Sequence, residues 1–118
     1  MVNGQHLLAL LLSLVVETVL HFVYFHQSAE AGLPLAMCNV AQAYYNGVGV
    51  EQNNDSAFYW ASRGADVGDA QSMHSLAQLY YQGVGTKVDK EESARWAYRS
   101  AKAGCADGMV MMAALLME

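Results

Sequence analysis

At 118 residues the chain is at most one domain, small enough that its core must be used economically. Hydrophobic residues make up 54% and charged residues only 14%, with a net charge of −5 from 11 acids and 6 bases. Every Lys and Arg lies at or beyond Arg63, so no basic patch is expected and nucleic acid is excluded as a partner.

The first element is an apolar run from Leu7 to Phe25, about 28 Å long as a helix. Only Ser13, Glu17, Thr18 and His21 interrupt it. Ser13, Glu17 and His21 are spaced by four, which places them on one narrow stripe and brings Glu17 within reach of His21. A signal peptide is the weakest reading, because no Lys or Arg precedes the run, Glu17 breaks it and no A-x-A site follows. A membrane anchor fits the length, although a mid-bilayer Glu costs about 3 kcal/mol and no flanking positive charge sets an orientation. A packed core helix is the third reading. It leaves unexplained why Leu8, Leu10, Leu11, Leu12 and Leu14 make the helix apolar nearly all round. The anchor and the packed helix both stay open.

Beyond residue 32 the chain repeats itself. Residues 33–68 laid over 69–104 without a gap share Met37, Ala41, Gln42, Tyr44, Tyr45, Gly47, Val48, Gly49, Trp60, Ala61, Arg63, Ala65 and Gly68. Such a period marks stacked helical units. Met37, Val40, Ala41 and Tyr44 follow i, i+3, i+4, i+7, as do Met73, Leu76, Ala77 and Tyr80. Each set predicts one apolar stripe on an amphipathic helix, helix A, with the small Ala41 and Ala77 admitting a close neighbour. Helix A stops at Gly47 and Gly83, where glycine takes the left-handed conformation without penalty. Gly49 and Gly85 then let the chain reverse. A second helix, helix B, starts at Asn53 and Asp89, both good N-caps. Asp89-Lys90-Glu91-Glu92 has the pattern of a capping box. Helix B carries Trp60 or Trp96 and ends at Gly68 or Gly104. Asp69 caps the next helix A, and Pro34 suits a first helical position.

The segments AQAYYNGVGV…WASRGADVG and AQLYYQGVGT…WAYRSAKAG resemble the Sel-one-like repeat (SLR), a relative of the tetratricopeptide repeat. The tyrosines, the G-x-G turn, the tryptophan and the closing Ala-x2-Gly match in both copies. The resemblance implies an all-α fold, a right-handed α–α solenoid of antiparallel helix pairs acting as scaffold or adaptor. It marks Ala41, Tyr44, Gly47, Gly49, Trp60, Gly68, Ala77, Tyr80, Gly83, Gly85, Trp96 and Gly104 as the structural repeat positions. One period before Trp60 stands Tyr24, followed by Ser28-Ala29-Glu30-Ala31-Gly32, the end of a helix B in register. At the other end, Met109, Met112, Ala113 and Leu116 fall in the helix A stripe. The expected division is an apolar N-terminal helix within 1–32, repeats at 33–68 and 69–104, and a partial repeat at 105–118. Neither end has the polar face of a terminal repeat. Self-association through the apolar ends, or membership of a longer array, follows.

No pattern for catalysis, a cofactor or a metal is present. His21 and His26 do not share a face, His26 and Glu30 form an ordinary i, i+4 pair, and there is no H-E-x-x-H. Gly83-Val84-Gly85-Thr86-Lys87 follows a helix and lacks the phosphate-loop spacing. Cys38 and Cys105 are too few for a disulfide framework and read as ordinary thiols, which leaves the redox compartment open. Cysteine-rich secreted relatives are linked to β-lactam hydrolysis. Their paired cysteines are absent here, and the chain is read as no enzyme. The expected function is a protein–protein interaction scaffold whose partner, a protein or peptide, lies on the concave face lined by helices A. Asn39, Gln42, Asn46, Ser75, Gln78 and Gln82 point away from the core stripe there. They form a ladder of neutral amides and a hydroxyl suited to an extended peptide or a partner helix. The alternative is a membrane-anchored complex subunit held by Leu7–Phe25, as in relatives of the endoplasmic-reticulum-associated degradation type.

Overall fold

A computed structural model describes residues 3–118, so the first two residues of the expected 1–32 segment lie outside the description. Six helices follow one another: α1 (Gly4–Glu30), α2 (Pro34–Asn46), α3 (Asn54–Asp66), α4 (Ala70–Gln82), α5 (Lys90–Lys102) and α6 (Ala106–Leu116). Helices α2, α4 and α6 are of the A type, while α3 and α5 are of the B type. The chain is an all-α solenoid.

Local chemistry sets most of the helix ends. Gly47 and Gly83 sit at φ 69° and 75° and return their N–H to Ala43 O and Leu79 O, both at 2.8 Å. The side chains of Asn53, Asp69 and Asp89 accept from the backbone N–H of Ser56, Ser72 and Glu92 at 2.9–3.0 Å. Leu33 precedes α2 with no side-chain oxygen to offer, and Pro34 occupies the first turn there. The capping box expected at Asp89 forms only by half. The Asp89 N–H donates to Tyr80 O at 2.9 Å instead of to Glu92, whose carboxylate pairs with Arg95 at 3.2 Å. The Asn53 N–H makes the same tie to Tyr44 O, so each A–B turn is stitched shut by its cap residue.

Every helix packs on its neighbour in sequence, and α2 also touches α4, as α4 touches α6. The backbones of α1, α3 and α5 stay apart, with the His26 ring of α1 on Trp60 of α3 bridging the first two. The A helices therefore form the tight inner layer, and the B helices splay outward on the convex side. The core runs between the layers through Met37, Val40, Ala41, Trp60, Ala61, Ala65 and Leu76, with Ala77 also buried.

Close helix crossings use small residues. A Cβ on Gly64 would collide with Ser72, and one on Gly108 would collide with Ser100. Glycine stands on the B helix at the first crossing and on the A helix at the second, so alignment by identity hides the pair. The buried hydroxyls are satisfied: Ser93 donates to Ala77 O at 2.7 Å and Ser100 to Ala70 O at 2.8 Å.

Helix α1 settles how the apolar leader joins the repeats. Phe22 meets Tyr44 edge-on with ring centroids 5.4 Å apart at 87°, and Phe58 meets Tyr80 with the same separation and angle. A Cβ on Gly49 would lie 2.6 Å from Thr18 O and 2.9 Å from Phe22 Cβ, while one on Gly85 would lie 2.5 Å from Asn54 O and 2.6 Å from Phe58 Cβ. Thr18 to Glu30 thus takes the place of a B helix. Its Tyr24, in the tryptophan slot, is nonetheless 64% exposed, because among the described residues no A helix precedes it. Trp60 is 6% exposed beneath the His26 ring at 5.5 Å. Trp96 is only partly buried: the position equivalent to His26 is Ser62, which has no ring to cover it.

The remainder of α1, Gly4 to Glu17, is exposed along its whole length. Leu7, Leu8, Leu10, Leu11, Leu12, Leu14, Val15 and Val16 are each 52–60% exposed. Glu17 and His21 do not pair; His26 and Glu30 do, at 3.4 Å. Helix α1 is the one helix among the described residues long and apolar enough to cross a membrane. The part left free by the solenoid is about 14 residues, some ~21 Å, against a hydrocarbon core of roughly 30 Å. Leu7–Phe25 therefore cannot span a bilayer while Thr18–Phe25 stays packed on α2.

Candidate functional site

In helices α2 and α4 the apolar stripe turns toward the B layer, which leaves the opposite face as the floor of the concave surface. Three shallow depressions follow one another along it. The first, roughly 440 Å³, lies between α1 and α2, with Asn39, Gln42 and Asn46 on one wall and His21, Phe22 and Phe25 on the other. The second, roughly 280 Å³, lies between α2 and α4 and is edged by Gln42, Asn46, Ser75 and Gln78. The third, roughly 380 Å³, lies between α4 and α6 and is edged by Gln78, Gln82, Tyr81 and Val110. The structure thus brings Asn39, Gln42, Asn46, Ser75, Gln78 and Gln82 to one continuous surface.

Some of their hydrogen-bonding capacity is already used. The Gln42 amide donates to Cys38 Sγ at 3.7 Å, and Cys38 Sγ lies 4.0 Å from Ser75 Oγ. Gln82 Oε1 accepts from Tyr45 OH at 2.8 Å. The most available groups are Asn39, Asn46 and Gln78, together with the second amide function of Gln82.

The paired tyrosines divide their work, which identity alone does not reveal. Tyr44 and Tyr80 pack edge-on against the preceding B-type helix. Tyr45 and Tyr81 face the concave side and reach the end of the next A helix, Tyr45 to Gln82 and Tyr81 to the Glu118 carboxylate. That bond, favouring the protonated phenol, pushes the Tyr81 pKa up. Gln71, His74 and Asp107 also border this surface. Gln71 donates to Asp107 at 3.3 Å and accepts from Cys105 Sγ at 3.4 Å. His74 lines the second and third depressions, and its Nδ1 is buried without a hydrogen-bond partner. Desolvation lowers the His74 pKa, opposed by the nearby Asp107 charge.

Charge is segregated between the layers. Arg63 lies over Trp60 and Arg99 over Trp96, while Lys90, Arg95 and Lys102 also sit on the B helix α5. None of the depressions is lined by Lys or Arg. The Cys38 thiol is buried and its pKa raised, chiefly by desolvation, the opposite of what an activated nucleophile needs. Among the described residues no group of three or more His, Cys, Asp or Glu side chains is placed to hold a metal.

Comparisons with known proteins agree with this architecture. The Sel1 repeat profile matches residues 34–69 and 70–105. A Sel1 repeat protein from Oxalobacter formigenes superposes with a TM-score of 0.72 at 30% identity, over 74% of this chain and 25% of that one. A protective antigen of uropathogenic Escherichia coli with an SLR fold gives 0.68 at 25% identity, over 70% of this chain and 18% of that one. Cysteine-rich protein B of Helicobacter pylori shares the fold at 18% identity, with a TM-score of 0.71 over 76% of this chain and 68% of that one. The chain therefore spans about a quarter or less of the first two structures. No curated protein matches it. With two profile matches covering more than half of its length and turns, caps and stripes that recur between them, the chain belongs to the Sel1 repeat family, whose members generally serve as protein–protein interaction scaffolds.

Proposed function

We propose that the chain is a non-enzymatic adaptor that takes an extended peptide or a partner helix along its concave face. The observation that carries this is the row of three depressions across α1, α2, α4 and α6, edged by Asn39, Gln42, Asn46, Ser75, Gln78 and Gln82. Amides donate and accept at once, which suits a peptide backbone with both N–H and C=O groups to satisfy. The test is a displayed peptide library selected on the full chain. Peptides recovered on the wild type should lose binding to a Gln42→Ala/Gln78→Ala variant whose helical melt is unchanged. Unchanged affinity would place the interaction elsewhere.

A second reading rests on a different observation, the Leu7–Val16 surface exposed around nearly the whole helix. A partner helix covers only one face of such a segment, whereas lipid surrounds it. In this reading the chain is a membrane-attached subunit of a complex, held by the free part of α1 and self-associating through the apolar α6. Alkaline carbonate extraction decides it: retention in the pellet, with a chain starting at Thr18 released, supports attachment. Release of the full chain argues against it.

A further inference from the structure

Asp107 is the one residue with a formal charge at neutral pH among those lining the three depressions, and it lines both the second and the third. It stands in the first turn of α6, at the junction where His74 and Gln78 are also shared between the two depressions. Asp69 and Asp89 cap helices, Glu92 pairs with Arg95, and Glu118 lies 3.9 Å from Lys90, while the unpaired Glu17, Glu51, Asp55, Asp66 and Glu91 stand outside the three depressions. Asp107 receives only the neutral amide of Gln71 at 3.3 Å. No cation among the described residues lies within ion-pair distance of it. The imidazole of His74 does not supply the missing charge, because burial favours its neutral form.

A lone carboxylate in a trough of neutral amides selects for a complementary charge, since a neutral occupant would desolvate it without compensation. From this we infer that the occupant of the concave face is a peptide segment that places a lysine or arginine side chain at the Asp107 junction, between the second and third depressions. The inference rests on the adaptor reading and adds a specificity-determining residue to it. The Gln78 amide beside the junction is free to hold the adjoining peptide backbone. The cations of the chain stand on the B helices and their turns, and Lys90, the one that reaches the edge of this surface over the Tyr81 ring, lies 3.9 Å from Glu118. Attraction of a basic segment to Asp107 should weaken as salt rises.

Peptides selected on the full chain from a random displayed library test the idea. One position should be enriched in Lys or Arg, and replacing that residue with Ala should weaken binding about tenfold. Asp107→Asn should cost a similar factor with the wild-type peptide and almost nothing further with the Ala peptide, because coupled charges are not additive in a double-mutant cycle. Asp107→Glu should keep the preference, and an unchanged melt for Asp107→Asn shows that folding is not the cause. Peptides that lose binding to the Gln42→Ala/Gln78→Ala variant yet show no cationic preference, or an additive cycle, would overturn this inference and leave the adaptor reading standing. Peptides indifferent to that double variant would overturn both.

Discussion

Replacing Gly49 with Ala asks whether the second half of α1 really serves as a B helix. Two costs combine at this position. Gly49 sits at φ 76°, where an L-residue loses roughly 1–2 kcal/mol. Its new Cβ would also fall 2.6 Å from Thr18 O and 2.9 Å from Phe22 Cβ. Thr18 O belongs to a helical backbone that cannot swing aside, so the overlap adds about 1–3 kcal/mol. The sum, about 2–5 kcal/mol, is a large share of a small domain's stability. It corresponds to a drop of about 8–20 °C in Tm at this size. Gly85→Ala repeats the geometry one unit later, against Asn54 O at 2.5 Å, and should behave alike. Gly68→Ala separates the two costs: φ is 93°, but nothing lies within 4 Å of the added carbon, so only the roughly 1–2 kcal/mol of backbone strain applies. Thermal and urea melts followed by helical circular dichroism, in a non-ionic detergent that shields Leu7–Val16, rank the three. If Gly49→Ala melts like Gly68→Ala while Gly85→Ala melts much lower, Thr18–Glu30 is not seated on the first turn and the register assigned to α1 is wrong.

Two more changes probe the interior. Trp60→Ala should cost about 3–5 kcal/mol because the ring is almost fully enclosed, and Trp96→Ala roughly half as much; equal losses in paired urea titrations would mean that the His26 ring does not help to bury Trp60. His74 makes stability depend on pH. Its pKa in the folded chain lies below the ordinary 6.5, so the unfolded chain takes up the proton first. The contribution is complete above 6.5 and is lost as pH falls from there through the folded-state value. Tm should therefore fall more steeply for the wild type than for His74→Gln between about pH 7 and about pH 5, and parallel curves would show that His74 stays solvated.

The repeat and its punctuation were legible in the residues because each feature is local. A glycine that must take positive φ at position 47, an Asn or Asp oxygen one turn from a free N–H, and an apolar stripe at helical spacing act within a few residues of themselves. Other features escaped because their cause lies a whole unit away. Tyr44 and Tyr45 are identical letters, yet one meets Phe22 and the other Gln82. Trp60 and Trp96 occupy equivalent slots, and what covers them differs because His26 has Ser62 as its counterpart. The Gly64–Ser72 and Ser100–Gly108 crossings exchange their small residue between helices, so neither column of the alignment shows it. Asp107 looks like an ordinary first-turn acid until α4 and α6 are set side by side.

The sequence by itself determined that this chain is a stack of helix pairs, where each helix stops and which stripe turns inward. Those properties follow from backbone dihedrals, capping and helical period, which need no neighbour. Only the tertiary structure decided how far the solenoid claims α1. Leu7–Phe25 is uniformly apolar, and hydrophobicity has no direction of its own. It took the close approach of the Gly49 turn to Thr18 to show where packing ends and the free helix begins.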